Sequence, residues 1–228
     1  MLEPYYSKEL SERQIAVLVH YFNYFDVDPS EVHYIKTEEF YTDLFPVDLV
    51  VIEPNSRFDY YTIATVGLSE YKFDENFVRS ELLMVLPKTW KPVFDKEEYY
   101  WAPALLKDIA YASIESKRPV KVGQVYLLNA DGKVYSPSTD AIGGIVTIAE
   151  MFDFDMYEEL IGETYTKFFQ VVPIDNNDVQ KLDDIGPMKF IQFNLHDSEK
   201  PLMVAKVKEK KIQGIDKLIK QNESKLKG

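Results

Sequence analysis

The sequence has 228 residues, of which 46% are hydrophobic, and its formal net charge is −12. This length is sufficient for one large domain with a substantial core, and so acidic a chain disfavours nucleic acid and anionic membranes as partners. The chain contains no cysteine, which excludes disulfide frameworks, thiolate zinc sites and cysteine catalysis.

The N-terminal residues lack the basic-then-apolar pattern of a signal peptide. No apolar run approaches the ~20 residues that span a bilayer. We therefore expect a soluble, cytoplasmic protein that has no membrane partner.

The first predicted helix runs from Ser11 to Phe25, with Ser11 as a good N-cap. Apolar residues at i, i+3, i+4 and i+7 predict its core-facing stripe, which is Ile15, Leu18, Val19 and Phe22. His20 lies off this stripe, so we interpret it as a boundary histidine rather than a metal ligand.

Three short apolar runs bounded by turn residues predict the central strands of a sheet, Val47–Glu53, Phe58–Val66 and Arg79–Leu86. Glu31–Lys36 is a shorter strand candidate before them. Both alternating faces of Phe58–Val66 are largely apolar or aromatic. Such a strand is covered on both sides, so we expect helices packed on the sheet.

Arg79 and Glu81 lie at i and i+2 and therefore share one face at the start of the third run. We interpret them as an ion pair that orients the preceding loop. The alternative is a charged binding position.

The second half of the chain contains further predicted elements. Pro103 is expected to open a helix that ends near Glu115, after an aromatic loop at residues 90–101. Asn129-Ala130-Asp131-Gly132 is a hairpin signal, which predicts that Val120–Leu128 pairs with Lys133–Tyr135. The later predictions are two strands and one short helix, at Ile145–Phe152, Phe168–Pro173 and Asp178–Ile185 respectively.

The chain becomes rich in lysine after Pro201. Val204–Gly228 carries eight Lys against three acidic residues, a net charge of +5, which leaves −17 on the rest of the chain. The apolar spacing predicts an amphipathic helix through Ile212, Ile215, Leu218, Ile219 and Leu226. It either docks on the acidic body or forms a mobile tail, and we expect a solvated helix face rather than a nucleic-acid contact.

No catalytic motif is recognisable, and the three histidines, His20, His33 and His196, are scattered. The densest acidic group is Asp153, Asp155, Glu158 and Glu159. Oxygen ligands of this kind suit a divalent cation, but the rest of a calcium loop is missing. A metal-dependent enzyme with an acidic site near Asp153 and Asp155 is therefore the less favoured hypothesis.

Several ordered motifs together resemble one known family. Tyr60–Ser69 is similar to that family's "yyTLvTsGmS" segment, Arg79–Pro87 to its "RaELmmyLP", and Trp101–Ala110 to its "W…LLkdLA" helix. Phe169–Pro173 continues the order. On these residues the chain, from about residue 30 to 190, resembles the Suppressor of fused domain family in its bacterial single-domain form.

The resemblance implies a mixed α/β (α+β) fold, with a central sheet sandwiched by helices. Residues 1–200 would form one domain of this type, and residues 201–228 the Lys-rich helix or tail. Family members bind proteins, and the bacterial ones look like immunity proteins that neutralise polymorphic toxins. The resemblance thus implies a non-enzymatic immunity protein without a cofactor, and a peptide-binding regulator or scaffold is the alternative.

An acidic body suits a basic toxin as partner, since opposite charges steer association. Exposed aromatic and Arg side chains near the sheet are the candidate partner-binding residues, namely Arg57, Tyr71, Trp90, Tyr99 and Tyr100. Six positions within the family motifs are interpreted as structural, namely Thr65, Gly67, Ser69, Arg79, Glu81 and Trp101.

Overall fold

A computed structural model describes residues 10–35, 47–73, 79–92, 97–127, 133–149 and 154–196. These residues form a mixed sheet with helices on both of its faces. Its strands are β1 (His33–Ile35), β2 (Asp48–Ile52), β3 (Tyr61–Val66), β4 (Arg79–Leu86), β5 (Val125–Leu127), β6 (Gly143–Ile148), β7 (Glu158–Ile161) and β8 (Thr164–Ile174).

The helices are α1 (Glu12–Phe25), α2 (Glu97–Ser116), α3 (Phe154–Tyr157), α4 (Asn176–Ile185) and α5 (Pro187–Phe190). Short 3₁₀ turns lie at Pro29–Glu31 and Leu68–Glu70, and a π-helical segment at Ile191–His196. The mixed α/β architecture with a helix-covered sheet, expected from the sequence, is thus confirmed.

The strand order is β1-β2-β3-β4-β8-β6-β5, and β7 pairs with the first residues of β8. Neighbouring strands are antiparallel except β4 and β8, which run parallel. The predicted bounds of Arg79–Leu86 agree with β4, and those of the two earlier central strands are close to β2 and β3.

Two hydrophobic clusters lie on opposite faces of the sheet. In β3, Ile63 belongs to the cluster beneath α2, whereas Ala64 and Val66 belong to the cluster beneath α1. All six residues of β3 are buried. The expectation that the central strands are covered on both sides is therefore confirmed.

Helix α1 begins where the sequence predicts, because Ser11 accepts a hydrogen bond from the backbone N–H of Gln14 and completes a capping box. Half of its predicted core stripe is wrong, since Ile15 and Val19 are 39% and 46% exposed, whereas Leu18 is buried and Phe22 packs against the core. The face buried instead comprises Gln14, Val17, Leu18, Tyr21, Tyr24 and Phe25.

Helix α1 buries this face because it carries Tyr21 and Tyr24. Tyr21 is fully buried, and its hydroxyl donates to the carbonyl of Thr65 at 3.0 Å. Tyr24 stacks on Phe58 with ring centroids 5.7 Å apart. Large rings whose polar tips find partners are buried more favourably than aliphatic side chains at neighbouring positions.

Helix α2 begins at Glu97, so the prediction that Pro103 opens it is wrong. Proline inside a helix leaves the carbonyl of residue i−4 without its usual donor, here that of Tyr99. The indole of the fully buried Trp90 donates to this carbonyl at 3.1 Å. A tertiary contact therefore makes the internal proline tolerable.

The predicted pairing of Val120–Leu128 with Lys133–Tyr135 is also wrong. Strand β5 pairs instead with β6, and the described residues at 133–135 are not in a strand. The predicted turn at residues 129–132 lies outside the described residues. Strand β6 spans Gly143–Ile148, so it begins and ends earlier than the predicted Ile145–Phe152. A Cβ at Gly143 would lie 2.0 Å from the carbonyl oxygen of Tyr126, so the close pairing with β5 requires glycine there.

The later elements agree with their predictions. Phe168–Pro173 lies within β8, and α4 is capped by Asp175 and followed by Gly186. A third cluster, formed by Ile145, Val172, Ile174, Leu182, Phe190 and Ile191, attaches α4 and α5 to the sheet. The predicted lysine-rich helix after Pro201 lies outside the described residues.

Candidate functional site

Glu81 is the most deeply buried carboxyl group of the described chain, at 0% exposure on β4. One of its oxygens accepts a hydrogen bond from the Thr65 hydroxyl at 2.5 Å. The other accepts from the backbone N–H groups of Gly67 and Ser69, at 3.0 and 2.9 Å. The side chain of Glu81 therefore fixes the start of the loop that follows β3.

Thr65 links this carboxyl group to the neighbouring strand. Its hydroxyl oxygen accepts a hydrogen bond from the backbone N–H of Leu82 at 2.8 Å, and the same hydroxyl donates a hydrogen bond to Glu81. Gly67 adopts a φ of +115°, which side-chain-bearing residues rarely tolerate. The loop therefore needs both the glycine and the carboxyl group.

Arg79 fixes the same loop from its other side. Its guanidinium donates to the carbonyls of Ser69 and Glu70, at 2.6 and 3.0 Å. Among the described residues Arg79 and Glu81 make no direct ion pair, so that prediction is wrong. Each charge instead meets backbone groups of one loop, where it can orient the loop as expected.

Burial is the main cause that raises the pKa of Glu81, to about 7 from its ordinary value of 4.5. The three donors oppose this shift because they stabilise the carboxylate. A group that is closed off from solvent does not meet a substrate without rearrangement. The arrangement suits a structural lock, as does the burial of Trp101, which is 2% exposed.

The five candidate partner-binding residues fall into different environments. Arg57 and Tyr100 are exposed, and Tyr71 and Tyr99 are half-buried against the core under α2. The expected exposure of Trp90 is wrong, because its side chain is 0% exposed and packs at 5.4 Å from the ring of Tyr61. These residues do not gather into one surface cluster.

Arg57 is the most constrained of the exposed candidates. Its guanidinium lies 5.0 Å from the ring centroids of both Tyr24 and Phe58. It also donates to the carbonyl of Tyr24 at 3.0 Å. Cation–π contacts thus hold this cation at the C-terminal end of α1.

Groups of three or more His, Asp or Glu side chains that could hold a metal ion do not occur among the described residues. Asp155 is exposed, and Asp153, the other half of the acidic candidate, lies outside the described residues. The Nε2 atom of His33 is hydrogen-bonded to Oε1 of Glu53 at 2.8 Å. His20 stacks on Phe168 at 4.4 Å, which agrees with its interpretation as a boundary residue.

The surface that sequence reasoning missed is an open groove between α1 and β7, here called the α1–β7 groove. Its volume is about 670 Å³. It is lined by Glu12, Ile15, Ala16, Val19, His20, Asn23, Tyr24, Arg57, Asp155, Glu159, Leu160, Ile161 and Gly162. The apolar spacing assigned Ile15 and Val19 to the core, but the face of α1 that is buried depends on the tertiary contacts of Tyr21 and Tyr24.

The described helices include none that is both long enough and apolar enough to cross a bilayer. That finding agrees with the absence of a long apolar run in the sequence.

Comparison with known proteins gives one family match. Residues 44–207 match the model of the Suppressor of fused protein family. This match begins and ends later than the motif resemblance, which extends from about residue 30 to 190. No curated protein sequence matches the chain.

Solved structures share the fold at low sequence identity. A Suppressor of fused homologue from Neisseria gonorrhoeae has a TM-score of 0.62 and 12% identity, over 84% of this chain and 93% of that one. A chain of the Sufu–Fu complex has a TM-score of 0.63 and 13% identity, over 85% and 89%. Drosophila Suppressor of Fused has a TM-score of 0.60 and 13% identity, over 98% of this chain but 57% of that protein.

Proposed function

Because this chain belongs to the Suppressor of fused family, we propose that it is a non-enzymatic protein-binding domain. The family's fold is present here, and one structural neighbour was solved as the Sufu–Fu complex. The buried polar groups around Glu81 are used to fix a loop rather than to line an open catalytic cleft. A rigid scaffold that carries loops on its surface suits recognition of a partner.

The partner in this proposal is a basic toxin, and the protein is a cytoplasmic immunity protein that neutralises it by direct binding. The observation that carries this step is the charge of −17 outside the Lys-rich segment Val204–Gly228. Such a field steers a cationic protein to the surface and raises its association rate. Occlusion of the toxin's active site or substrate surface would then prevent damage to the host.

A peptide-binding scaffold is the second candidate. Strand β1 lies at one end of the strand order, and its three residues are half-buried. An extended peptide adds to such a strand through backbone hydrogen bonds. Deletion of the gene separates the two candidates, because it leaves cells viable for a scaffold and causes self-intoxication for an immunity protein with an active toxin.

The direct test is capture of the tagged full-length protein from its native cells, followed by mass spectrometry. We expect one basic polypeptide in stoichiometric amount, whose recovery decreases when the ionic strength rises. A stoichiometric acidic partner would contradict the toxin proposal but not protein binding. Recovery of a bound metal or small molecule without any protein would favour the enzyme hypothesis.

A further inference from the structure

The α1–β7 groove exposes apolar side chains on a helix that already buries its opposite face in the core. Ile15 and Val19 are 39% and 46% exposed and lie one turn apart on α1. Leu160 lines the groove from β7 and is 53% exposed. Adjacent exposed apolar residues in a concave site are typical of interaction surfaces.

The two sides of the groove are held at a fixed distance. Arg13 extends from α1 and donates to the carbonyl of Ile161 at 3.0 Å. The same guanidinium donates to the hydroxyls of Thr164 and Thr166, at 2.9 and 3.1 Å. The groove is thus preformed, which lowers the entropic cost of binding.

The charged groups of the groove are mostly acidic. Glu12, Asp155 and Glu159 are exposed carboxylates around it, and Arg57 lies at one end against Tyr24. Burial lowers the pKa of His20, which disfavours the charged imidazole even though its Nδ1 lies 3.5 Å from a carboxylate oxygen of Glu159. An occupant must therefore present apolar side chains together with positive charge.

We infer that the α1–β7 groove binds a cationic amphipathic helix of a protein partner, with its apolar face on Ile15 and Val19 and its Lys or Arg side chains at the carboxylates. This inference rests on the proposed protein-binding function and specifies its surface. The backbone groups of α1 are bonded within the helix, so this wall recognises side chains rather than an added strand. Residues one turn apart form the kind of ridge against which a second helix packs.

The probe is a labelled synthetic helical peptide of about 18 residues, or five turns, with Leu at i, i+3, i+4 and i+7 and Lys on its other face. Binding to the full-length protein is measured by fluorescence anisotropy. We expect it to bind at least about tenfold more tightly than a peptide of the same composition with scrambled Leu positions. A peptide with Glu in place of Lys should bind at least as weakly as the scrambled one.

Two pairs of variants locate the binding site. Ile15→Gln with Val19→Gln keeps the helix propensity and should weaken binding about tenfold or more. The matched control is Leu127→Gln with Val134→Gln, which removes apolar groups that are 48% and 41% exposed outside the groove. This control should retain the affinity of the wild-type protein.

The charge test compares equal changes at two places. Asp155→Asn with Glu159→Gln should weaken binding of the Lys peptide at least about threefold, because two carboxylates at the groove are lost. Asp183→Asn with Asp184→Asn makes the same net change at exposed positions of α4 and should have little effect. Circular dichroism of each variant verifies that it is folded.

Equal affinity for the ordered and scrambled peptides, or equal losses in the groove and control variants, would overturn the inference in favour of general attraction to an acidic surface. So would a failure of the wild-type protein to bind the probe. Capture from native cells separates the two proposals. If the Ile15→Gln, Val19→Gln variant still recovers the partner in full, the groove inference is wrong and the proposed function stands. If the wild-type protein recovers no partner, the proposed function is wrong.

Discussion

The indole of Trp90 donates to the carbonyl of Tyr99, at 3.1 Å, in place of the backbone N–H that Pro103 lacks. The two residues belong to different segments, and the bond forms only when the loop after β4 lies against the first turns of α2. This contact gives a fully buried tryptophan a structural role at the position where the helix would otherwise lose a hydrogen bond.

Replacement of Trp90 by Phe should therefore depend on residue 103. In the wild-type background we expect a loss of about 2 kcal/mol in the free energy of unfolding, since a carbonyl loses its donor and a smaller ring leaves space. In a Pro103→Ala background the restored N–H can bond to Tyr99, and the loss should be smaller by about 1 kcal/mol. Urea denaturation of the four proteins measures this coupling, and strictly additive losses would contradict it.

Titration of Glu81 should make stability depend on pH. Its pKa is about 7 in the folded protein and 4.5 when unperturbed, so between these values the folded state retains a proton that the unfolded state has lost. The contribution is thus fully present below about pH 4.5 and is lost as the pH rises through about 7, with a total on the order of 3 kcal/mol. The difference in unfolding free energy between the wild-type protein and Glu81→Gln, followed against pH, isolates this group, and parallel curves would refute the shift.

The Thr65 hydroxyl should contribute far more to the free energy of unfolding than a buried hydroxyl without a hydrogen-bond partner. Thr65→Val leaves an oxygen of Glu81 and the N–H of Leu82 without partners, and we expect a loss of about 2–3 kcal/mol. Thr147 is also fully buried, but its hydroxyl has no partner among the described residues. Thr147→Val should therefore be neutral or stabilising in the same denaturation assay, and Thr65→Ser should retain most of the wild-type stability.

Two glycines should respond differently to alanine. At Gly143 a Cβ would overlap the carbonyl oxygen of Tyr126, so Gly143→Ala has to separate β5 from β6 and should cost about 3 kcal/mol or more. Gly186 has open space around it, but its φ of +79° and ψ of 159° form a backbone conformation that essentially only glycine adopts, so Gly186→Ala should cost about 2 kcal/mol of backbone strain without a steric overlap. Thermal unfolding shows whether Gly143→Ala destabilises the protein more than Gly186→Ala. Hydrogen exchange at the backbone amides of β5 should increase in Gly143→Ala but not in Gly186→Ala.

Local patterns in the sequence predicted the elements whose signals are local. Ser11 caps α1, the predicted helix Asp178–Ile185 lies within α4, and Arg79–Leu86 agrees with β4, because caps and apolar strand runs act over a few residues. The two-sided burial of β3 was likewise visible as apolar residues on both faces. These features predicted the helix-covered sheet and, with the family motifs, the fold.

Tertiary structure decided which of several acceptable local choices was made. Ile15 and Val19 have the spacing of a core stripe, but the burial of Tyr21 and Tyr24, which pack against Phe168 and Phe58, favours the other face of α1. The local pattern at Pro103 predicts a helix start, but Trp90, in the loop that precedes α2, supplies the donor that lets the helix begin earlier. The sequence by itself thus determined most of the elements, the layering of the sheet between helices and the acidic charge. The start of α2, the pairing of β5, the burial of Trp90, the lock around Glu81 and the exposed groove on α1 depend on tertiary contacts, whose energies no local pattern contains.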